Sequence, residues 1–258
     1  MIAALVHATE LLPNCYRPST NRSDFYFFKD LNRRSDLDLL RLPNTPSGSS
    51  HLNGDKRLDY TKMAPSTATE VPPPPAVSIK TLHIAGILVD IHGLAELPPT
   101  ATQISVLWLH HPRTRSKEQM IDIAARAVSA WNASPKSSNG GGNRGLIAAA
   151  FDQRNHGSRE VLKLANEAWR GGNPTHAQDM FGVVAGTVAD TRGLIDLLPG
   201  YLFHEEGGEA ARTIDQHLVL GWSLGGHSCW QLLFADPRVT AGVSVIGCPD
   251  FMCECAAT

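Results

Sequence analysis

The sequence predicts an α/β fold, a mostly parallel sheet flanked by helices, on three observations. Short apolar runs of strand length alternate with longer stretches whose apolar residues recur every three or four positions. The runs at 104–109 and 146–151 are apolar at nearly every position, as strands covered on both faces are. A Gly-x-Ser-x-Gly segment stands between another such run and a helical stretch.

Taken in order, residues 78–86 and 87–93 alternate apolar and polar side chains, the pattern of a half-buried antiparallel pair. The strand at 104–109 follows. Met120, Ile121, Ala124, Ala127, Val128 and Trp131 then mark a helix by their spacing. Residues 134–145, with Gly140-Gly141-Gly142, form a surface loop before the strand at 146–151. A long helix is expected over 175–198, stopped by Pro199-Gly200. A strand at 217–221, a helix at 226–234 and a strand at 239–246 complete the series.

The N-terminal part differs in composition. Residues 1–77 are patchy in charge and rich in Ser, Asn and Pro, ending in Pro72-Pro73-Pro74-Pro75. Too little apolar surface is available there to offset the entropy of ordering, so this extension is expected to be mostly disordered. Phe25-Tyr26-Phe27-Phe28 and Leu37-Asp38-Leu39-Leu40 are its two stretches capable of local burial. Met63-Ala64-Pro65-Ser66 resembles an ordinary protein start, which makes residues 1–62 an expected upstream extension and 78–258 an expected partial α/β domain.

Composition narrows the function classes. The 258 residues are 42% hydrophobic and 19% charged with a net charge of −2, values of a globular chain without a nucleic-acid footprint. No run of about 18 apolar residues suggests a membrane span. The N-terminus lacks the basic flank of a secretory signal, and the cysteine count is odd. A reducing, cytoplasmic setting is therefore expected. Cys248, Cys253 and Cys255 lie close together, but no paired ligands stand nearby, so free thiols are expected and neither metal nor cofactor. The oligomeric state is left open.

The chemistry is carried by Gly221-Trp222-Ser223-Leu224-Gly225-Gly226-His227. With 22 glycines in the chain, a bare Gly-x-Ser-x-Gly arises by chance in on the order of one such chain in ten. The strand before it and the helix after it supply the context that a nucleophile elbow needs. There a serine on a sharp turn lifts its hydroxyl above the sheet, and flanking glycines avoid clashes with neighbouring backbone.

With this segment the chain resembles the α/β-hydrolases over residues 78–250. It also resembles a fungal subgroup with Asp152-Gln153-Arg154-Asn155-His156-Gly157 after the fourth strand and Ala168-Trp169-Arg170-Gly171-Gly172-Asn173 beyond it. The resemblance implies an antiparallel second strand, a parallel series after it, and Ser223 as nucleophile after strand five. It implies a small acyl compound, an ester or thioester, as substrate, and a fold lacking its last strands. It also implies that the segment His110-His111-Pro112-Arg113 supplies an oxyanion-hole N–H. Pro112 stands where relatives carry glycine and has no N–H. The implied donors are therefore the backbones of Arg113 and Leu224.

Other polar residues have simpler expected roles. His156 should fix its loop through Asp152 and Arg154. His176 and Asp179 suit helix capping better than a metal. His227 should face away from the serine.

In this fold the triad runs Ser, Asp or Glu, then His, and His227 is the sole histidine after Ser223. Asp250, ending the sixth strand, is a possible acid. The 258-residue chain is thus expected to stop before its triad is complete, to be nearly inactive, and to leave the edge of the sixth strand bare. A non-catalytic α/β-hydrolase-like binding protein and an incomplete gene product remain the alternatives.

Overall fold

A computed structural model describes residues 25–29, of which the backbone alone is considered, together with 72–134, 144–203 and 211–249. Seven strands form one sheet: β1 (Phe25–Lys29), β2 (Ile79–Ile84), β3 (Ile87–His92), β4 (Gln103–His110), β5 (Arg144–Phe151), β6 (Thr213–Trp222) and β7 (Val239–Val245). Their spatial order is β1-β7-β6-β4-β5-β3-β2. β2 and β3 form the expected antiparallel hairpin, and β3 runs antiparallel to β5. The β5–β4, β4–β6 and β6–β7 pairs are parallel.

Among the described residues three α-helices cross over between the parallel strands: α1 (Ile121–Asn132), α2 (His176–Leu202) and α3 (Leu224–Ala235). The apolar stripe of α1 (Ile123, Ala124, Ala127 and Val128) packs with Leu107, Leu109, Leu218 and Leu220 on one face of the sheet. Leu194, Ile195 and Leu198 of α2 and Leu232 and Leu233 of α3 pack with Trp108, Ile147 and Val219 on the other. Strands covered on both faces in this way can be apolar at every position, which is why 104–109 and 146–151 show no alternation. No described helix is long and apolar enough to cross a membrane.

The structure departs from the sequence-based expectation in two places. α2 continues through Pro199-Gly200 to Leu202. Pro199 sits in the last turn, where its missing N–H costs one helical bond. Leu198 and Phe203, which belong to the core beneath, outweigh that loss. The far edge of β7, expected to be bare, is paired antiparallel by β1 in the register Phe25–Val245 to Lys29–Ala241. This β-prone aromatic segment supplies the backbone partners that an open edge lacks. The remaining residues up to 71 and residues 135–143 of the expected loop lie outside the described residues, while Arg144 and Gly145 already belong to β5.

β4 has β5 on one side and β6 on the other, although these strands follow it in sequence on opposite excursions. The winding direction therefore reverses at β4. In open α/β sheets such a reversal opens a crevice at the strands' carboxyl ends.

Candidate active site

That crevice holds the bend at Ser223. The residue has φ 53° and ψ −115°, between the end of β6 and the first turn of α3. A β-carbon on Gly221 would stand 1.9 Å from the Gly225 carbonyl oxygen, and one on Gly225 would stand 2.2 Å from that of His110. Glycine at both positions lets the helix fold back onto the ends of β6 and β4. The Ser223 N–H donates to the Val245 carbonyl at 2.8 Å, and its own carbonyl accepts from Gly226 at 2.7 Å. The backbone is held on both sides of a residue in a region that L-amino acids rarely occupy. Its hydroxyl makes no hydrogen bond among the described residues.

Strain collects along this rim. Positive φ is found at Thr114 after β4, Asn155 after β5, Ser223 after β6 and Ile246 after β7. For the β-branched Thr114 and Ile246 this conformation is a genuine outlier.

The loop after β4 is fixed by histidines with defined tautomers. Thr191 gives its hydroxyl proton to the Thr187 carbonyl at 2.7 Å, so His110 Nε2, 3.0 Å away, is the donor to Thr191 Oγ1. His111 Nε2 accepts the Gln153 N–H at 3.0 Å, leaving Nδ1 to donate to the Pro112 carbonyl at 2.9 Å. Gln153 in turn donates to the His111 carbonyl and accepts from Thr187. Burial lowers both imidazoles, His110 to about 3 and His111 to about 4, and each adds its own neighbouring-histidine contribution. His111 Nε2 lies 4.0 Å from Asp152 Oδ1, but a neutral ring makes this no ion pair.

Asp152 anchors the loop after β5 differently from the expectation. Its carboxylate accepts the Lys117 N–H at 2.8 Å and the Ser158 N–H and hydroxyl at 2.8 and 2.7 Å. Burial would raise its pKa, yet these bonds outweigh burial and lower it. His156 bonds the Arg154 carbonyl at 2.9 Å as expected, while Asp152 is engaged elsewhere. His227 meets the backbone of Cys248, not the serine hydroxyl. His176 donates toward the Glu167 carbonyl, and Asp179 accepts from Asn173 and Thr175. Among the described residues no group of three or more His, Cys, Asp or Glu is placed to hold a metal.

Of the two residues expected as oxyanion donors, Leu224 opens α3 and Arg113 lies in the loop after β4, where its guanidinium holds the Asn166 carbonyl at 3.0 Å. No acceptor is found for either backbone N–H among the described residues. Asp250, Cys253 and Cys255 lie outside them. The residues that sequence reasoning missed are Gln153, Thr187 and Thr191. They are polar positions in otherwise apolar or loop segments: α2 carries Thr187 and Thr191 to Gln153 and His110, and the pairing of β5 with β4 sets Gln153 beside His111.

Neither a protein-family model nor a curated protein matches the chain. Among solved structures, TT1662 from Thermus thermophilus is 21% identical with a TM-score of 0.40, covering 62% of this chain and 52% of that one. The 2,6-dihydroxy-pseudo-oxynicotine hydrolase is 20% identical with a TM-score of 0.37, over 64% of this chain and 35% of that one. A thioesterase domain from the curacin biosynthetic pathway is 13% identical with a TM-score of 0.33, over 64% and 42%. The chain thus spans about half or less of the length of each. The assignment of fold rests on this chain's own connectivity. With strand order β2-β3-β5-β4-β6-β7, parallel crossovers from β4 onward and a strained serine turn between β6 and α3, it has the α/β-hydrolase fold.

Proposed function

We propose that the chain carries the nucleophile half of a serine hydrolase acting on a carboxylic ester or thioester, with Ser223 as the attacking residue. The observation that supports this most is the Ser223 backbone, φ 53° and ψ −115°, locked between Val245 and Gly226 with its hydroxyl unengaged among the described residues.

In this reading Ser223 Oγ bonds to the carbonyl carbon as its proton passes to a base. The carbonyl electrons move onto oxygen, and the N–H groups of Leu224 and Arg113 stabilise that charge. Each donor is worth roughly 3 kcal/mol in the transition state. The tetrahedral species collapses, the alkoxide or thiolate leaves with a proton, and water then releases the acyl group from Ser223. The start of α3 adds the positive end of a helix beneath the developing oxyanion.

Among the described residues no imidazole hydrogen-bonds the Ser223 hydroxyl. The same observation favours a second reading, a binding protein that keeps the fold without the reaction. A fluorophosphonate probe separates the two. Covalent labelling that disappears in Ser223→Ala supports the hydrolase; equal labelling of both chains, or none, overturns it.

A further inference from the structure

We propose that Gln153 is a positioning residue for the reaction at Ser223: its side-chain amide holds the one polar group of the His111–Pro112 peptide and so sets where the Arg113 N–H sits. This deepens the ester-hydrolase reading and rests on it.

The peptide between His111 and Pro112 has no N–H, because proline is its second residue. The His111 carbonyl is therefore its only polar handle, and Gln153 Nε2 donates to it. The Gln153 N–H donates to His111 Nε2 at 3.0 Å. Main chain and side chain of one residue thus grip the ring and the carbonyl of His111 together. His111 is fully buried, and burial keeps its ring neutral, so Nε2 retains the lone pair that this grip requires.

Gln153 is itself fully buried, and its Oε1 lies 3.1 Å from the Thr187 hydroxyl of α2. The segment it holds abuts the nucleophile turn, since a β-carbon on Gly225 would stand 2.2 Å from the His110 carbonyl oxygen. Leu224 directly precedes Gly225, and Arg113 lies two residues past His111. The two expected oxyanion donors therefore ride on backbones in contact, and Gln153 governs the placement of one against the other. The far end of the segment is anchored as well. There the Lys117 N–H donates to Asp152 at 2.8 Å and the Lys117 ammonium to Asp90 at 2.7 Å. Loss of the Gln153 bond would free the peptide just before Arg113, and a misplacement of about 1 Å can cost about 100-fold in rate.

The test follows fluorophosphonate labelling of Ser223 in the full 258-residue chain, separating the probe's reversible affinity from the maximal rate of bond formation. Gln153→Met keeps most of the volume and removes the donor. Its maximal rate should fall about 100-fold with the affinity unchanged, because the phosphoryl oxygen gains charge only as the bond forms. Gln153→Glu adds a signature that lost packing does not give. Its carboxylate repels the His111 carbonyl, whereas the protonated acid donates to it as the amide does. Burial raises the pKa of a carboxyl group. The maximal rate relative to the unaltered chain should therefore be low at about pH 8.5 and recover about tenfold by about pH 6, with near-UV circular dichroism showing a folded chain at each pH. An unchanged maximal rate in folded Gln153→Met, or a ratio for Gln153→Glu that is flat with pH, overturns the proposal. If Gln153→Met unfolds, the pH series on Gln153→Glu decides. A labelled unaltered chain whose variants match it removes the positioning role alone; an unaltered chain that does not label removes the hydrolase reading and this role together.

Discussion

The Val245 carbonyl accepts the Ser223 N–H at 2.8 Å, so the last residue of β7 holds the turn that follows β6. The strained serine is thereby clamped by a neighbouring strand and not by its own helix alone. Its conformation is one that glycine adopts without steric cost. Ser223→Gly should therefore raise stability by about 1 kcal/mol, the relief of strain less the added entropy of the unfolded chain, while abolishing fluorophosphonate labelling. Urea unfolding measures the first and mass spectrometry the second. A lowered urea midpoint would show that the turn stores no strain.

Gly221→Ala should have the opposite effect. The new methyl would stand 1.9 Å from the Gly225 carbonyl, against backbone that cannot yield as a side chain does. A loss of about 1–3 kcal/mol or more is expected, with loss of labelling because α3 must move off the end of β6. Full labelling of a folded Gly221→Ala chain would count against the clamp.

Thr191→Val keeps the size of the side chain but removes the acceptor for His110 Nε2. Since His110 Nδ1 already lacks a partner, both ring nitrogens of a buried imidazole would then be unsatisfied. The expected cost is about 1–3 kcal/mol in urea unfolding.

Acid should destabilise the chain early. Burial holds His110 at about 3 and His111 at about 4, and burial followed by the Arg238 charge holds His217 at about 4, against 6.5 for the free group. These rings are neutral when folded and protonate near pH 6.5 when unfolded, so the unfolded chain binds more protons as pH falls. Their contribution is complete above about pH 6.5 and declines below it, each ring by up to about 1.4 kcal/mol per pH unit until its folded value is reached. Urea midpoints at a series of pH values between about 7 and 5 should fall steadily; a flat profile would contradict the burial of these rings as neutral groups.

Pairing of β1 with β7 should matter for association. Proline at both Tyr26 and Phe27 removes a backbone donor from that ladder whichever residue faces β7. The variant should self-associate through the freed edge, seen as a concentration-dependent mass in light scattering. A monodisperse variant with unchanged mass would show that the pairing does not guard the edge.

The fold was legible because its signals are local. The apolar runs of β4 and β5 and the three-four spacing in α1 fixed element types, and glycines 221 and 225 marked the turn before any coordinates. The run-on of α2 past Pro199 was not legible, because the anchoring of Leu198 and Phe203 is a tertiary matter that outweighs local propensity. Nor was the capture of Asp152 by Lys117 and Ser158 legible, since it depends on how two loops from different strands meet. The tautomers of His110 and His111 are likewise set by Thr191 and Gln153, residues far away in sequence.

Thr114, Asn155, Ser223 and Ile246 share an uncomfortable backbone and a common address at the upper ends of four adjacent parallel strands. Anyone engineering a hardier version of this chain would turn first to such positions, where a glycine or asparagine relaxes the main chain. Each of those replacements would also reshape the mouth through which a molecule reaches the serine. Heat tolerance and selectivity in this protein are therefore expected to be tuned by the same handful of residues, and libraries built for one trait will need screening for the other.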